Sequence, residues 1–133
     1  MVSLYTPDAN SAKAAERMER TRLPIVTTPF GELELINALQ LRLFRKELPA
    51  RQLRAAYAAF RADVHASIIE IKPLSDAVFL QARRLASKWT RKLGTRTLDI
   101  VHVASALSLG LDAFNTFDER QRRLANAAGL ATP

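Results

Sequence analysis

The chain has 133 residues, 48% of them apolar and 25% charged, which is the composition of one ordinary globular domain. It has no cysteine, which excludes a disulfide framework, a thiolate zinc site and thiol catalysis. Its two histidines, His65 and His102, are too few for a site built from several histidine ligands. A net charge of +7 favours a polyanionic partner such as nucleic acid, although it also fits a solvated arginine-rich surface.

No stretch of the chain approaches the roughly 20 consecutive apolar residues of a transmembrane helix. The first residues, Met1–Asp8, lack the basic start and the long apolar run of a signal peptide. The sequence therefore predicts a cytoplasmic protein.

Helical segments and short β-branched segments alternate along the chain. Residues 1–8 are predicted to form the end of a helix and the loop after it. Capping residues, prolines and glycines then divide the rest into predicted helices at 11–21, 29–46, 49–65, 75–94, 97–110 and 118–129. Predicted strands cover 24–28, 67–72 and 112–117.

Strands that alternate with helices predict right-handed crossovers onto a parallel sheet, and therefore a single α/β domain over residues 1–133. No repeat or Pro/Gly-rich linker divides the chain. Ligands of such sheets lie outside the carboxyl ends of the strands. The turns that lead from strand to helix are therefore where a functional site is expected.

A carboxylate pair follows the first predicted strand. The helix that begins at Pro29 is apolar almost all the way round, which predicts a buried helix in which an ionised carboxylate is costly unless it is paired or bound to a metal. Glu32 and Glu34 point to nearly opposite sides, and Glu34 shares a face with Asn37 and Leu41. The alternative is that both glutamates only complement the helix dipole in the first turn.

Two more carboxylates stand at predicted helix starts. Asp99 lies in the first turn of its helix, where an aspartate commonly complements the helix dipole. Asp118 follows the third predicted strand and, with Gln121 three residues later, fits a helix N-cap. Taken alone, each of these aspartates is accounted for by a role at the start of its helix, without any functional site.

Taken together, the three carboxylates predict a metal site. Acids clustered at one sheet edge, with no cysteine and almost no histidine, form a hard oxygen site that suits Mg²⁺ or Mn²⁺. A divalent ion held there can polarise a phosphate and lower the pKa of a bound water. Basic residues run along the preceding helix (Arg84, Lys88, Arg91 and Lys92) and reach Arg96, where they could hold a nucleic-acid backbone or simply be solvated.

Three segments resemble the PIN-domain family, in particular the VapC-type ribonuclease toxins of type II toxin–antitoxin pairs. They are Thr27–Leu39 (TTPFGELELINAL), Arg96–Leu107 (RTLDIVHVASAL) and Phe114–Asp118 (FNTFD). The resemblance matches the family acids to Glu34, Asp99 and Asp118 and a supporting hydroxyl to Thr116.

The resemblance implies a three-layer α/β/α fold with a parallel central sheet, and a Mg²⁺-dependent or Mn²⁺-dependent nuclease acting on RNA. Glu34, Asp99 and Asp118 would share metal binding and catalysis, with Arg91, Lys92 and Arg96 binding RNA. It also implies a homodimer and a small antitoxin whose helix occupies an apolar groove near the site.

One feature of the family is absent from this sequence. PIN domains open with a strand that carries an aspartate, and Met1–Asp8 does not match that strand. Because it is central in the family's sheet, its loss would leave neighbouring strands without hydrogen-bond partners. We therefore expect the native protein to begin roughly ten residues earlier, the length of one strand and its turn.

The leading hypothesis is therefore a VapC-like endoribonuclease. The alternative is a catalytically inactive PIN-like module that binds RNA or an antitoxin, which the absent first acid favours. A helical DNA-binding module would explain the charge but not the strands or the placed acids.

Overall fold

The computed structural model describes all residues from Met1 to Pro133, which form two compact units, Met1–Pro73 (unit 1) and Leu74–Pro133 (unit 2). The chain is mostly helical, with one small parallel sheet. This confirms the predicted α/β class and is consistent with a PIN-like fold. None of the helices is long and apolar enough to cross a membrane.

Unit 1 contains four helices and both strands, close to the bounds that the sequence predicts. In chain order they are α1 (Val2–Tyr5), α2 (Ser11–Arg20), β1 (Ile25–Thr27), α3 (Pro29–Phe44), α4 (Ala50–His65) and β2 (Ile69–Ile71).

The turn from β1 into α3 is fixed by its local sequence. The Thr28 hydroxyl accepts a hydrogen bond from the Gly31 N–H at 3.2 Å, and Pro29 occupies the first helical position, where its missing N–H has no consequence. A Cβ on Gly31 would lie only 2.4 Å from Thr27 Oγ1. A larger residue at this position would therefore force the Thr27 side chain to move.

The two strands pair in parallel, with Ile25 opposite Ile69 and Thr27 opposite Ile71. The Ile25 N–H donates to the Ile68 carbonyl and the Lys72 N–H donates to the Thr27 carbonyl, at 2.9 and 2.8 Å. Phe60 of α4 is fully buried in the core of this unit and contacts the Tyr5 ring edge-on. The other buried core residues are Leu35, Leu39, Leu48, Ala56 and Ile69.

Helix α3 is less buried than its apolar sequence predicts. Only Gly31, Leu35 and Leu39 are buried, whereas Leu41 is 41% and Phe44 82% exposed. Burial of one side suffices to hold the helix, while Leu33, Leu41 and Phe44 are exposed. The face that Glu34 shares with Asn37 and Leu41 is therefore a partly exposed face, not an apolar stripe in the core.

Unit 2 consists of three helices, α5 (Asp76–Leu93), α6 (Thr97–Ser108) and α7 (Glu119–Ala127). Gly94 ends α5 in the left-handed conformation, at φ 63°, which glycine adopts without a Cβ penalty. The helices enclose a second apolar core of Val78, Leu85, Ile100, Val103, Ala104, Ala106, Leu124, Ala125 and Leu130.

The third predicted strand, residues 112–117, is not a strand in the structure. Its only ladder contact is a single parallel bridge between Ala113 and Ala131, in which the Phe114 N–H donates to the Ala131 carbonyl at 2.8 Å. A strand forms only where a partner satisfies its backbone groups along its length. Within unit 2 that partner is the short C-terminal segment, so the pairing stops after one bridge.

The Asp8 carboxylate joins three parts of unit 1. It accepts hydrogen bonds from the Ser3 hydroxyl at 2.9 Å, the Asn10 N–H at 2.8 Å and the Arg42 guanidinium of α3 at 3.2 Å. Desolvation alone would raise the pKa of Asp8, but these hydrogen bonds and the Arg42 charge outweigh it and hold the pKa below its usual value.

Asp8→Asn is expected to destabilise the protein at pH 7 by about 1.5–3 kcal/mol, the range for hydrogen bonds to a charged group. Because the folded-state pKa is lowered, the stability that Asp8 contributes is present above the unfolded-state pKa and disappears as the pH falls through the folded-state pKa. Urea unfolding from pH 7 to pH 2.5 should therefore show the two proteins converging below about pH 4. Asp112→Asn, at an exposed position, is the control. If the difference in unfolding free energy between Asp8→Asn and the unsubstituted protein stayed constant over this pH range, the lowered pKa of Asp8 would be contradicted.

Candidate metal centre

Asp99 is a buried carboxylate, at 6% exposure, in the first turn of α6. Its Oδ2 accepts a hydrogen bond from the Arg96 N–H at 3.1 Å, and its Oδ1 accepts one from Nε2 of Gln121 at 3.2 Å. The first bond closes the start of α6, so the predicted first-turn role is confirmed. The second bond ties α6 to α7.

Asp118 is the N-cap of α7, as its position in the sequence predicts. Its Oδ1 accepts hydrogen bonds from the N–H groups of Arg120 and Gln121, at 2.7 and 3.1 Å. Its Oδ2 accepts none, and the residue is exposed. One carboxylate oxygen therefore caps the helix while the other faces solvent and is open to a ligand.

Thr116 and Gln121 connect these two acids. The Asp118 N–H donates to the Thr116 hydroxyl at 3.0 Å, and that hydroxyl donates to Oε1 of Gln121 at 2.8 Å. The Gln121 amide then donates to Asp99. The structure thus brings together Asp99, Asp118 and Thr116, which the sequence singled out, through Gln121, which the sequence offered only as a capping partner of Asp118.

Glu34 belongs to unit 1 and lies half-buried in the second turn of α3, not at the helix start. The first-turn explanation is therefore wrong for Glu34 and applies only to Glu32, which the Tyr57 hydroxyl contacts at 3.2 Å.

The basic residues along α5 and at the start of α6 that the sequence singled out are exposed and carry no ion pair. The ammonium groups of Lys88 and Lys92 lie 5.0 and 5.5 Å from the centre of the Trp89 ring, a cation–π geometry that holds both charges near one spot. The exposed set consists of Arg84, Lys88, Arg91, Lys92 and Arg96.

The donor chemistry of unit 2 fits a hard divalent cation. Neither unit contains a group of three or more His, Asp or Glu side chains placed to hold one metal ion. Mg²⁺, however, keeps several waters and is commonly bound by one or two carboxylates together with substrate phosphates. Asp99 and Asp118 are two such carboxylates, joined through Gln121, and Asp118 Oδ2 is the open oxygen.

A comparison with protein-family models matches the chain to the PIN domain over residues 1–127. No curated protein and no solved structure matches the chain. The match spans both units and includes Glu34, Asp99, Thr116 and Asp118.

Proposed function

Because this chain belongs to the PIN domain family, we propose that it is a VapC-type endoribonuclease that hydrolyses RNA phosphodiester bonds with Mg²⁺ or Mn²⁺. A PIN domain indicates a nuclease-like function, and its members generally bind divalent metals and commonly RNA. The proposal of a metal-dependent ribonuclease is carried by one observation, the link between Asp99 and Asp118 through Gln121. Of the two acids, Asp118 has an oxygen, Oδ2, that accepts no hydrogen bond. We take residues 1–133 as one PIN-like domain, since the family match crosses both units.

In this proposal each residue has a defined part. Asp99 and Asp118 hold the metal, and Thr116 orients the loop before Asp118 through its hydroxyl. A ligand role for Glu34 stays a prediction of the family resemblance. A bound divalent ion supplies charge neutralisation of the phosphate and a water of lowered pKa. Hydrolysis would add a water oxygen to phosphorus, break the bond from phosphorus to the leaving oxygen and return a proton to that oxygen. The homodimer and the antitoxin stay predictions of the family resemblance.

The exposed basic set favours RNA as the substrate over a small phosphate ester. Arg91, Lys92 and Arg96 lead from the end of α5 to the first turn of α6, where Asp99 lies. Unpaired arginine and lysine side chains bind phosphates without reading sequence. They would hold an extended backbone whose next phosphate reaches the carboxylates.

Two substitutions test the metal-binding acids in protein produced from its native gene. Asp99→Asn keeps the shape of a buried side chain, and Asp118→Ser keeps a good N-cap while removing the carboxylate. We expect each to reduce Mg²⁺-dependent cleavage of labelled single-stranded RNA by at least about 100-fold, the upper range for changes that only surround a metal ligand. Thermal unfolding of Asp118→Ser should stay close to that of the unsubstituted protein. Asp99→Asn should lose some stability, because its amide nitrogen meets a hydrogen-bond donor, but should still unfold cooperatively.

The matched control is Asp112→Asn, which removes the same charge from an exposed position of unit 2 and should cleave normally. Unchanged cleavage by Asp99→Asn would overturn the proposed catalytic site. RNA binding by the unsubstituted protein without any metal-dependent cleavage would support the inactive binding module instead.

The RNA-binding role of the basic set is tested by salt dependence. Arg91→Gln combined with Lys92→Gln should weaken RNA binding and lower the slope of log K against log salt by about 1.4, which is about 0.7 for each lost phosphate contact on a single strand. Fluorescence anisotropy with a labelled RNA measures both. The control combines Arg51→Gln with Arg54→Gln on the exposed side of α4, which removes the same charge. If this control lowered the salt slope of RNA binding by the same amount, a localised RNA site would be contradicted.

We further propose that the native protein has a strand beside β1 that carries the family's first aspartate. In a parallel ladder alternate residues bond to each neighbour. Ile25 and Thr27 bond to the β2 side, so the Val26 N–H and carbonyl point to the other edge, where the sheet has no strand. An added strand there would satisfy them.

The intact mass of the protein purified from cells that carry its gene tests this strand. We expect a mass above the 14.8 kDa of the present chain, together with an aspartate in the added segment. A native mass of 14.8 kDa would contradict the added strand and favour the inactive module.

A further inference from the structure

The side chain of Gln121 has a single consistent orientation. Its amide nitrogen donates to Asp99 Oδ1 and its amide oxygen accepts from the Thr116 hydroxyl, so the nitrogen faces Asp99 and the oxygen faces Thr116. The Thr116 hydroxyl therefore donates to Gln121 and accepts from the Asp118 N–H. The result is a chain of hydrogen bonds that all run in one direction, from the Asp118 backbone to the Asp99 carboxylate. The bonds of such a chain polarise and strengthen one another.

Gln121 also contacts the second acid. Its backbone N–H donates to Asp118 Oδ1 at 3.1 Å while its side chain donates to Asp99 Oδ1 at 3.2 Å. One residue thus fixes an oxygen of each carboxylate, and a rotation of either acid breaks a bond to it.

The folding of α7 does not require this amide. The helix is already capped by Asp118 and anchored by Leu124 and Ala125, both fully buried. Gln121 itself is only half-buried, so an apolar side chain of the same length would be tolerated there. The start of α6 is closed by the Arg96 N–H on the other oxygen of Asp99.

We propose that Gln121 is a positioning residue for the metal-binding acids, one that holds Asp99 Oδ1 and couples its orientation to the Thr116–Asp118 loop. The inference rests on the proposed function, because it assigns Asp99 and Asp118 to one metal. Groups that orient a ligand in this way fix its rotamer before the metal arrives and raise the affinity of the site. The sequence does not single Gln121 out for this role.

The test compares Gln121→Met with Arg123→Met in protein produced from the native gene. Both substitutions place the same unbranched side chain on α7, but Arg123 is exposed and outside the hydrogen-bond chain. Mn²⁺ affinity is measured by calorimetry without RNA, and RNA cleavage is measured as a function of Mn²⁺ concentration. We expect Gln121→Met to bind Mn²⁺ about 10- to 100-fold more weakly and to regain cleavage at high Mn²⁺, with the Michaelis constant for RNA unchanged.

A second pair keeps the inference testable if Gln121→Met does not fold. Thr116→Val removes the hydroxyl that links Asp118 to Gln121, whereas Thr116→Ser keeps it. Weaker Mn²⁺ binding in the valine variant and normal binding in the serine variant would support the coupling.

The outcomes separate the inference from the proposed function. If the unsubstituted protein binds Mn²⁺ and cleaves RNA while Gln121→Met matches Arg123→Met in affinity, the inference is overturned and the nuclease stands. A loss of cleavage in Gln121→Met that high Mn²⁺ does not restore also overturns it. If the unsubstituted protein neither binds Mn²⁺ nor cleaves RNA, the inference fails together with the proposed function.

Discussion

The constraint on which unit 2 depends is the burial of the Asp99 carboxylate. A carboxyl group at 6% exposure is costly to bury unless hydrogen-bond donors replace its water. The Arg96 N–H and the Gln121 amide supply these donors from two different elements, and no buried side-chain nitrogen or oxygen of the protein lacks a partner. Satisfying this one carboxylate therefore closes the start of α6 and links it to α7 through the side chain of Gln121.

The helix boundaries could be predicted because they depend on local chemistry. Thr28 followed by Pro29 begins α3, Gly94 ends α5 in the left-handed conformation, and Asp118 caps α7. Each signal acts within four residues, so the sequence carries it in full. The short strands β1 and β2 were predictable for the same reason, since β-branched residues stand between prolines or caps.

The features that the sequence could not predict depend on partners far away in the chain. Residues 112–117 have the composition of a strand, yet they form one bridge because only the C-terminal segment lies beside them. The α3 sequence is apolar on several sides of the helix. Which of those sides is buried depends on the elements that pack against it, and Phe44 remains 82% exposed. Gln121 followed a capping pattern, whereas its side chain reaches Asp99, 22 residues away.

The structural roles of the acids do not compete with the proposed metal site, since a carboxylate offers about four lone-pair positions. Asp118 caps α7 with Oδ1, and its Oδ2 accepts no hydrogen bond. Asp99 accepts one hydrogen bond on each of its oxygens. Both acids therefore retain acceptor capacity after their helices are satisfied. The bonds that explain each aspartate as a helix residue also prevent it from rotating, and a rigid carboxylate with a free lone pair is what binding of a hard cation requires.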